Sequence, residues 1–277
     1  KSSVHAFSRM PALTTSDRID PESLKNNTIT PNAFASASKD YTYYEGLAAY
    51  TDGDNFDKAL AEEYKAAAID ELTAAGATFP IKMLMCYNPT SANWAQECQV
   101  VEQQIETVLG ADYVDIIIQA GPETGFLGAI RRTGNYAFMK CNWGADYADP
   151  ETWTDPFSTD SSYSFIFKST DPETQALYAE YTELVAAAKA ITDDMDARYT
   201  AFAKAEAFLL DHAFAIPFSI SNRSYQMCNL NVFEGQYASF GLANQRYKDQ
   251  HLYSSSMGME EYQAAYAEWQ SKKAGLD

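Results

Sequence analysis

Basic residues are scarce. The 277-residue sequence has 20 Lys and Arg against 38 Asp and Glu, a formal net charge of −18 at pH 7. Nucleic-acid binders displace counterions with a basic surface, and nothing here supplies one, so DNA and RNA are excluded as partners. Anionic lipid headgroups would be repelled as well. Long apolar runs are also lacking. A membrane helix needs roughly 18 or more consecutive apolar residues, whereas the best candidate, 207–218, is interrupted by Asp211 and His212.

Cysteine and histidine are sparse too. Cys86, Cys98, Cys141 and Cys228 contain no CxxC pair, and His5, His212 and His251 lie at no metal-ligand spacing, so no metal site is expected. A chain of this length does not need disulfide staples, which makes buried free thiols the expectation. The glycine-rich phosphate-binding, nucleophile-elbow and zinc-protease motifs are all absent, and no cofactor is implied. The run from Asp52 to Asp57, with Glu63 at the twelfth place, imitates a calcium loop. Phe56 stands where a ligand belongs and Asp57 where glycine is needed, so a helix cap at Asp57 is the better reading.

With 46% apolar and 14% aromatic residues, the chain has enough material for a real core. Residues 1–56 show no sustained periodicity and no leader-like basic stretch with an apolar run. This segment is expected to pack on the lobe or on a missing partner, with the chain beginning inside a longer protein. From Asp57 the pattern sharpens into a helix over 57–75, a strand over 79–87, a helix from Trp94 to Gly110 and a strand over 113–119 buried on both faces. A helix over 122–132 and a strand over 136–143 follow. Such alternation predicts an α/β lobe with a mixed, mostly parallel sheet flanked by helices. Helices over 172–191 and 196–212 and a strand over 215–220 complete a lobe spanning 57–222. Residues 223–277 form a return segment with a final helix over 259–273.

One segment stands out: Trp143-Gly144-Ala145-Asp146-Tyr147-Ala148-Asp149-Pro150, directly after the third expected strand. Loops at the carboxyl ends of parallel strands line the ligand crevice in open α/β sheets. The stretches beginning at Gly121, Asp149 and Asp171 share one form: a cap candidate, then proline, then an acid, then threonine. Helices start this way, so Asp149 reads as a structural cap. Asp146 has no such duty. Its carboxylate either meets a cation or is a solvated turn-former, and Trp143 is either a ligand contact or a core or hinge residue.

The octapeptide resembles the A-D-Y region of the extracytoplasmic solute-binding proteins of peptide ABC importers, the oligopeptide-binding family. The resemblance extends to the segment 125–142 before it, to 171–191, and to 203–218 with Ala205-Glu206 and Ala215-Ile216-Pro217. It covers most of the chain from about Ala33 onward and falls on the family's second half. It implies a periplasmic-binding-protein-like class II lobe from a two-lobed, non-enzymatic receptor that closes over an extended oligopeptide. The partners implied are a membrane permease driven by a separate ATPase and the N-terminal lobe of the same protein. The protein is expected to be a monomer, outside the cytoplasm as a cell-surface lipoprotein or in the periplasm, with signal and anchor outside this chain.

By the same resemblance, Asp146 pairs with the peptide α-amino group. Asn142, Trp143 and Gly144 engage the peptide backbone like an added strand, and Tyr147 completes the motif. Some members have a disulfide-forming cysteine at the place of Gly144, so that bridge does not carry over. Lys140 and Arg131 match places that receive the ligand carboxylate in some members, the alternative for Lys140 being a side chain that snorkels to an edge. Ser221 stands where an aromatic ring can face the ligand. The rival readings are a same-fold receptor for a sugar, a metal complex or haem, a surface sensor of signal peptides, and a hydrolase using Asp146 and Asp149. The proline-cap context of Asp149 speaks against the hydrolase.

Overall fold

A computed structural model of the chain describes residues 1–15, 20–31, 39, 41–50, 54–163, 165–166, 168–220, 227–234 and 247–274. The chain divides into two compact units: Lys1–Asn142 with Trp153–Asn222, and Trp143–Thr152 with Arg223–Asp277. Ser221 lies outside the described residues, as do Asp52 and Gly53 of the calcium-like run.

In the first unit, short helices α1 (Ser2–His5) and α2 (Met10–Leu13) precede the long helix α3 (Lys58–Ala74). Asp57 caps α3 as expected, its carboxylate accepting from Leu60 N at 3.0 Å. Gly76, at φ +78°, ends the helix in the left-handed region that glycine enters without strain. Strand β1 (Ile81–Tyr87), helix α4 (Trp94–Leu109) and strand β2 (Val114–Ala120) form a crossover unit. The two strands pair in parallel from Ile81 opposite Val114 to Tyr87 opposite Ala120. Strand β3 (Phe138–Met139) adds in parallel to the other side of β1, giving the order β2-β1-β3. The small, wholly parallel sheet flanked by helices is the architecture the alternation predicted.

The core explains residues 1–15. Ala6, Phe7 and Ala12 are buried in one cluster with Ala61, Met85, Ile105, Val114 and Ile116, so the opening segment supplies part of the interior between α3, α4 and the sheet. Arg9, 1% exposed, anchors this segment by donating to Asn26 O at 2.5 Å and to the Asn27 side chain.

Several expectations need correction. Residues 122–132 do not form a full helix. Only a five-residue π-helical turn, Leu127–Arg131, appears, in a stretch where Gly125 (φ +72°) and Gly134 (φ +69°) interrupt regular geometry. The third strand is two residues long, although Ala137 N donates to Leu84 O at 2.8 Å and Lys140 N to Cys86 O at 3.1 Å on either side of it. Strand β2 is an edge and is not buried on both faces, since Ile117 is 42% exposed. The strand expected over 215–220 does not join the sheet. Ser219 instead forms an isolated antiparallel bridge with Lys25. The thiols of Cys86 and Cys98 are free and buried, and burial pushes Cys98 up to about 11, but Cys141 is exposed.

Helix α5 (Glu151–Thr154) is a single turn, followed by α6 (Pro172–Lys189) and α7 (Met195–Asp211). Asp171 caps α6 through Thr174 N at 2.8 Å, and Asp194 caps α7 through Ala197 N at 2.9 Å. The wholly buried Glu206 of α7 grips the opening segment. It accepts from Ile29 N at 2.7 Å, Thr30 N at 3.1 Å and Thr30 Oγ1 at 2.6 Å.

Burial pushes the Glu206 carboxyl up to about 7, against the lowering influence of its three donors. The folded chain therefore holds a proton that the unfolded chain releases near pH 4.5, and stability falls as pH rises from about 4.5 to 7. The contribution is roughly 3 kcal/mol, complete below that window and absent above it. Glu206→Gln keeps an oxygen acceptor for Ile29 N and Thr30 N, and its amide N–H can donate to Thr30 Oγ1, which then accepts. Urea unfolding across this range should show the wild-type slope reduced in Glu206→Gln. Equal slopes in the two proteins would show that Glu206 does not titrate there.

The second unit contains helix α8 (Met259–Ala274), close to the expected range. Phe233 is buried against it, with ring centres 5.1 Å from Tyr262, 5.4 Å from Tyr266 and 6.0 Å from Trp269. Leu230 and Leu252 form an antiparallel bridge. Among the described residues, no helix is long and apolar enough to cross a membrane.

Candidate functional site

The residues expected to carry function fall in two groups, one in each unit, and each group has its own local logic. In the first unit, Lys140 follows β3 and forms an ion pair with Glu97, in the first turn of α4. Glu97 is 1% exposed and the Lys140 side chain 17%. The ammonium also lies 4.7 Å from the ring centre of Phe218 and 5.2 Å from that of Trp94. A lysine in an otherwise apolar strand thus has a structural reason: it neutralises a buried carboxylate and is screened by two aromatic faces.

Arg131, at the end of the π-helical turn, is 2% exposed. Its guanidinium carbon lies 4.9 Å from the ring centres of both Tyr163 and Phe165. Its Nε has no hydrogen-bond partner among the described residues. Asn142, the last residue before the second unit, is exposed.

In the second unit, the segment Trp143–Thr152 is a loop tied to itself. Trp143 is half-buried and its indole Nε1 donates to Thr152 O at 2.7 Å. Asp146 N donates to Thr152 Oγ1 at 3.0 Å. Asp149 Oδ1 accepts from Glu151 N at 2.9 Å and Asp149 O from Thr152 N at 3.2 Å, so Asp149 is the structural cap that its proline context predicted. Ala145, Pro150 and Thr152 are buried, which anchors the loop. Asp146 and Gly144 are exposed, and Tyr147 is 47% exposed. The Asp146 carboxylate has no hydrogen bond or ion pair among the described residues. A Cβ placed on Gly144 would meet nothing within 4 Å, so the backbone there is open to an approaching chain.

Two important residues were not singled out from the sequence. Thr152 holds both arms of the loop, yet in sequence it is only the fourth residue of a cap pattern. The equivalent Thr174 makes a different set of bonds, its N and Oγ1 both donating to Asp171 Oδ2 at 2.8 Å. Glu97 looks like an ordinary first-turn acid. Its only sequence signal is its place on the apolar side of α4, one residue before Cys98 and four before Val101.

The small parallel sheet flanked by helices shares its fold with solved peptide-binding proteins of peptide ABC transporters. The substrate-binding domain of an oligopeptide ABC transporter from Bacillus anthracis matches with a TM-score of 0.66, over 91% of this chain and 45% of its own, at 21% identity. By sequence, the chain is homologous to a part of the oligopeptide-binding proteins. Oligopeptide-binding protein AmiA of Streptococcus pneumoniae serotype 4 is 31% identical over 235 residues, 79% of this chain and 35% of AmiA. Oligopeptide-binding protein AliA of the same organism is 30% identical over 237 residues, 79% of this chain and 36% of AliA. The chain therefore spans about a third of the length of these curated relatives. No family model matches it.

Proposed function

We propose that the chain is the ligand-anchoring portion of a non-enzymatic, extracytoplasmic receptor that captures oligopeptides for an ABC importer. In this reading it works with a membrane permease and with a further lobe of the same protein, which closes over the ligand. The observation that carries the proposal is the Asp146 carboxylate: exposed, without a partner among the described residues, on a loop whose backbone is otherwise tied down. A fixed acid of this kind suits the α-ammonium of a peptide. Asn142, Trp143 and the open backbone at Gly144 would run beside the peptide main chain, which gives affinity without reading side chains. Tyr147 would add an aromatic contact.

For the ligand carboxylate we keep Arg131 and Lys140, with unequal weight. Arg131 Nε has no hydrogen-bond partner among the described residues, whereas Lys140 would share its charge with Glu97. Residues 57–222 are assigned to the ligand-binding lobe, 1–56 to a segment that completes it, and 223–277 to the return toward the other lobe.

The test is titration calorimetry on the full-length protein that carries this chain, comparing free tetrapeptides with their N-acetylated forms. Acetylation should weaken binding by about 100-fold, because it removes the charge that Asp146 would neutralise. Equal binding of both forms would remove the amine-anchor role and favour a different solute for the same fold.

A further inference from the structure

We propose that Thr152 is the positioning residue that makes the Asp146 loop selective for a free amine. The inference rests on the amine-anchor reading above and adds the device that holds the anchor still. The loop closes on one buried residue: Thr152 is 4% exposed, its backbone carbonyl accepts the Trp143 indole N–H at 2.7 Å, and its hydroxyl accepts the Asp146 backbone N–H at 3.0 Å. The aromatic residue expected beside the ligand main chain and the acid expected at its amine are thus referenced to the same residue. Thr152 is itself held in turn, because its own N–H donates to Asp149 O at 3.2 Å, just before α5.

The consequence is chemical as well as geometric. An exposed carboxylate on a mobile loop follows its ligand and loses side-chain and backbone freedom on binding, which reduces the gain from the charge pair. Here the Asp146 backbone amide is held before any ligand arrives, so binding has only the short side chain left to order. A cation that can approach to hydrogen-bond distance benefits in full. A neutral acetamide at the same place benefits little. Thr152 should therefore act on the difference between the two ligands, whereas a merely structural threonine would affect both alike.

The experiment uses the full-length protein and three forms: wild type, Thr152→Val and Thr152→Ser. Each is titrated with tetra-alanine and with N-acetyl-tetra-alanine, and amide hydrogen exchange is followed at Asp146. Valine keeps the shape and removes the acceptor, so the preference for the free amine should fall about tenfold while affinity for the acetylated peptide stays within about twofold. Serine should restore the preference. The Asp146 amide should be protected in wild type and in Thr152→Ser, and exchange freely in Thr152→Val.

Equal weakening of both peptides by Thr152→Val, or a preference unchanged by it, overturns the assignment while leaving the amine anchor standing. A wild type that does not distinguish the two peptides overturns the amine anchor, and this assignment with it. If the valine variant fails to fold, an unprotected Asp146 amide in wild type, or a lost preference in Thr152→Ser, overturns the assignment.

Discussion

Lys140→Met should destabilise the protein by about 3–5 kcal/mol near neutral pH, the penalty for stranding one charge of a buried pair. Glu97 is 1% exposed and the Lys140 side chain 17%, so water screens the pair poorly. The rings of Trp94 and Phe218, 5.2 and 4.7 Å from the ammonium, exclude solvent further. Without the lysine, Glu97 must either remain charged in an apolar setting or take up a proton, so the loss should shrink as pH is lowered. Combining Lys140→Met with Glu97→Gln should recover much of the stability, since neither side chain then carries an unmatched charge. Urea unfolding of the two single variants and the double variant measures the coupling. A loss below about 1 kcal/mol in Lys140→Met would place the pair in the range of solvent-exposed bridges, and the reading of it as a buried clamp would fail.

Asp146→Ala should leave stability unchanged and lower the affinity of the full-length protein for free tetrapeptides by about 100- to 1,000-fold. The asymmetry follows from the site. The carboxylate is exposed and has no partner among the described residues, so folding does not depend on it, while a bound ammonium would lose the counter-charge proposed for it. Asp146→Asn should behave almost as badly, because an amide supplies no charge. Calorimetry with a free tetrapeptide, paired with a melting curve, reads both halves of the prediction. Unchanged affinity in a correctly folded Asp146→Ala protein would remove the residue from the site.

Sequence and structure agree where the signal is local. Asp57, Asp149 and Asp171 are caps because a short acid before a helix start can satisfy free N–H groups within its own neighbourhood. The apolar runs of β1 and β2 declared themselves as strands, and the helix between them gave the parallel connection. Misreadings arise where one backbone conformation inside a segment, or a residue far away in sequence, decides. The segment 122–132 has enough apolar spacing for a helix, but Gly125 and the left-handed geometry it adopts leave only a turn. The stretch around Ser219 has strand composition, yet its bridge partner is Lys25, which no local pattern can indicate. The same holds at the candidate site. Asp146 was visible as an acid without a structural duty, whereas Thr152 and Glu97 acquire their roles only when the chain brings partners to them.

The burial of Phe7 and Ala12 among residues of α3, α4 and the sheet bears on how this chain can be recombined with its relatives. A chimaera joined at residue 57 would look tidy on a linear map, since the regular elements begin there. It would also exchange Phe7, Ala12 and the strap gripped by Glu206 for those of another parent, and a phenylalanine-sized mismatch in a close-packed interior costs about 3–5 kcal/mol. Shuffling between relatives should therefore treat residues 1–15 and 29–30 as cargo that travels with α3, α4 and α7, however far apart they lie in the gene.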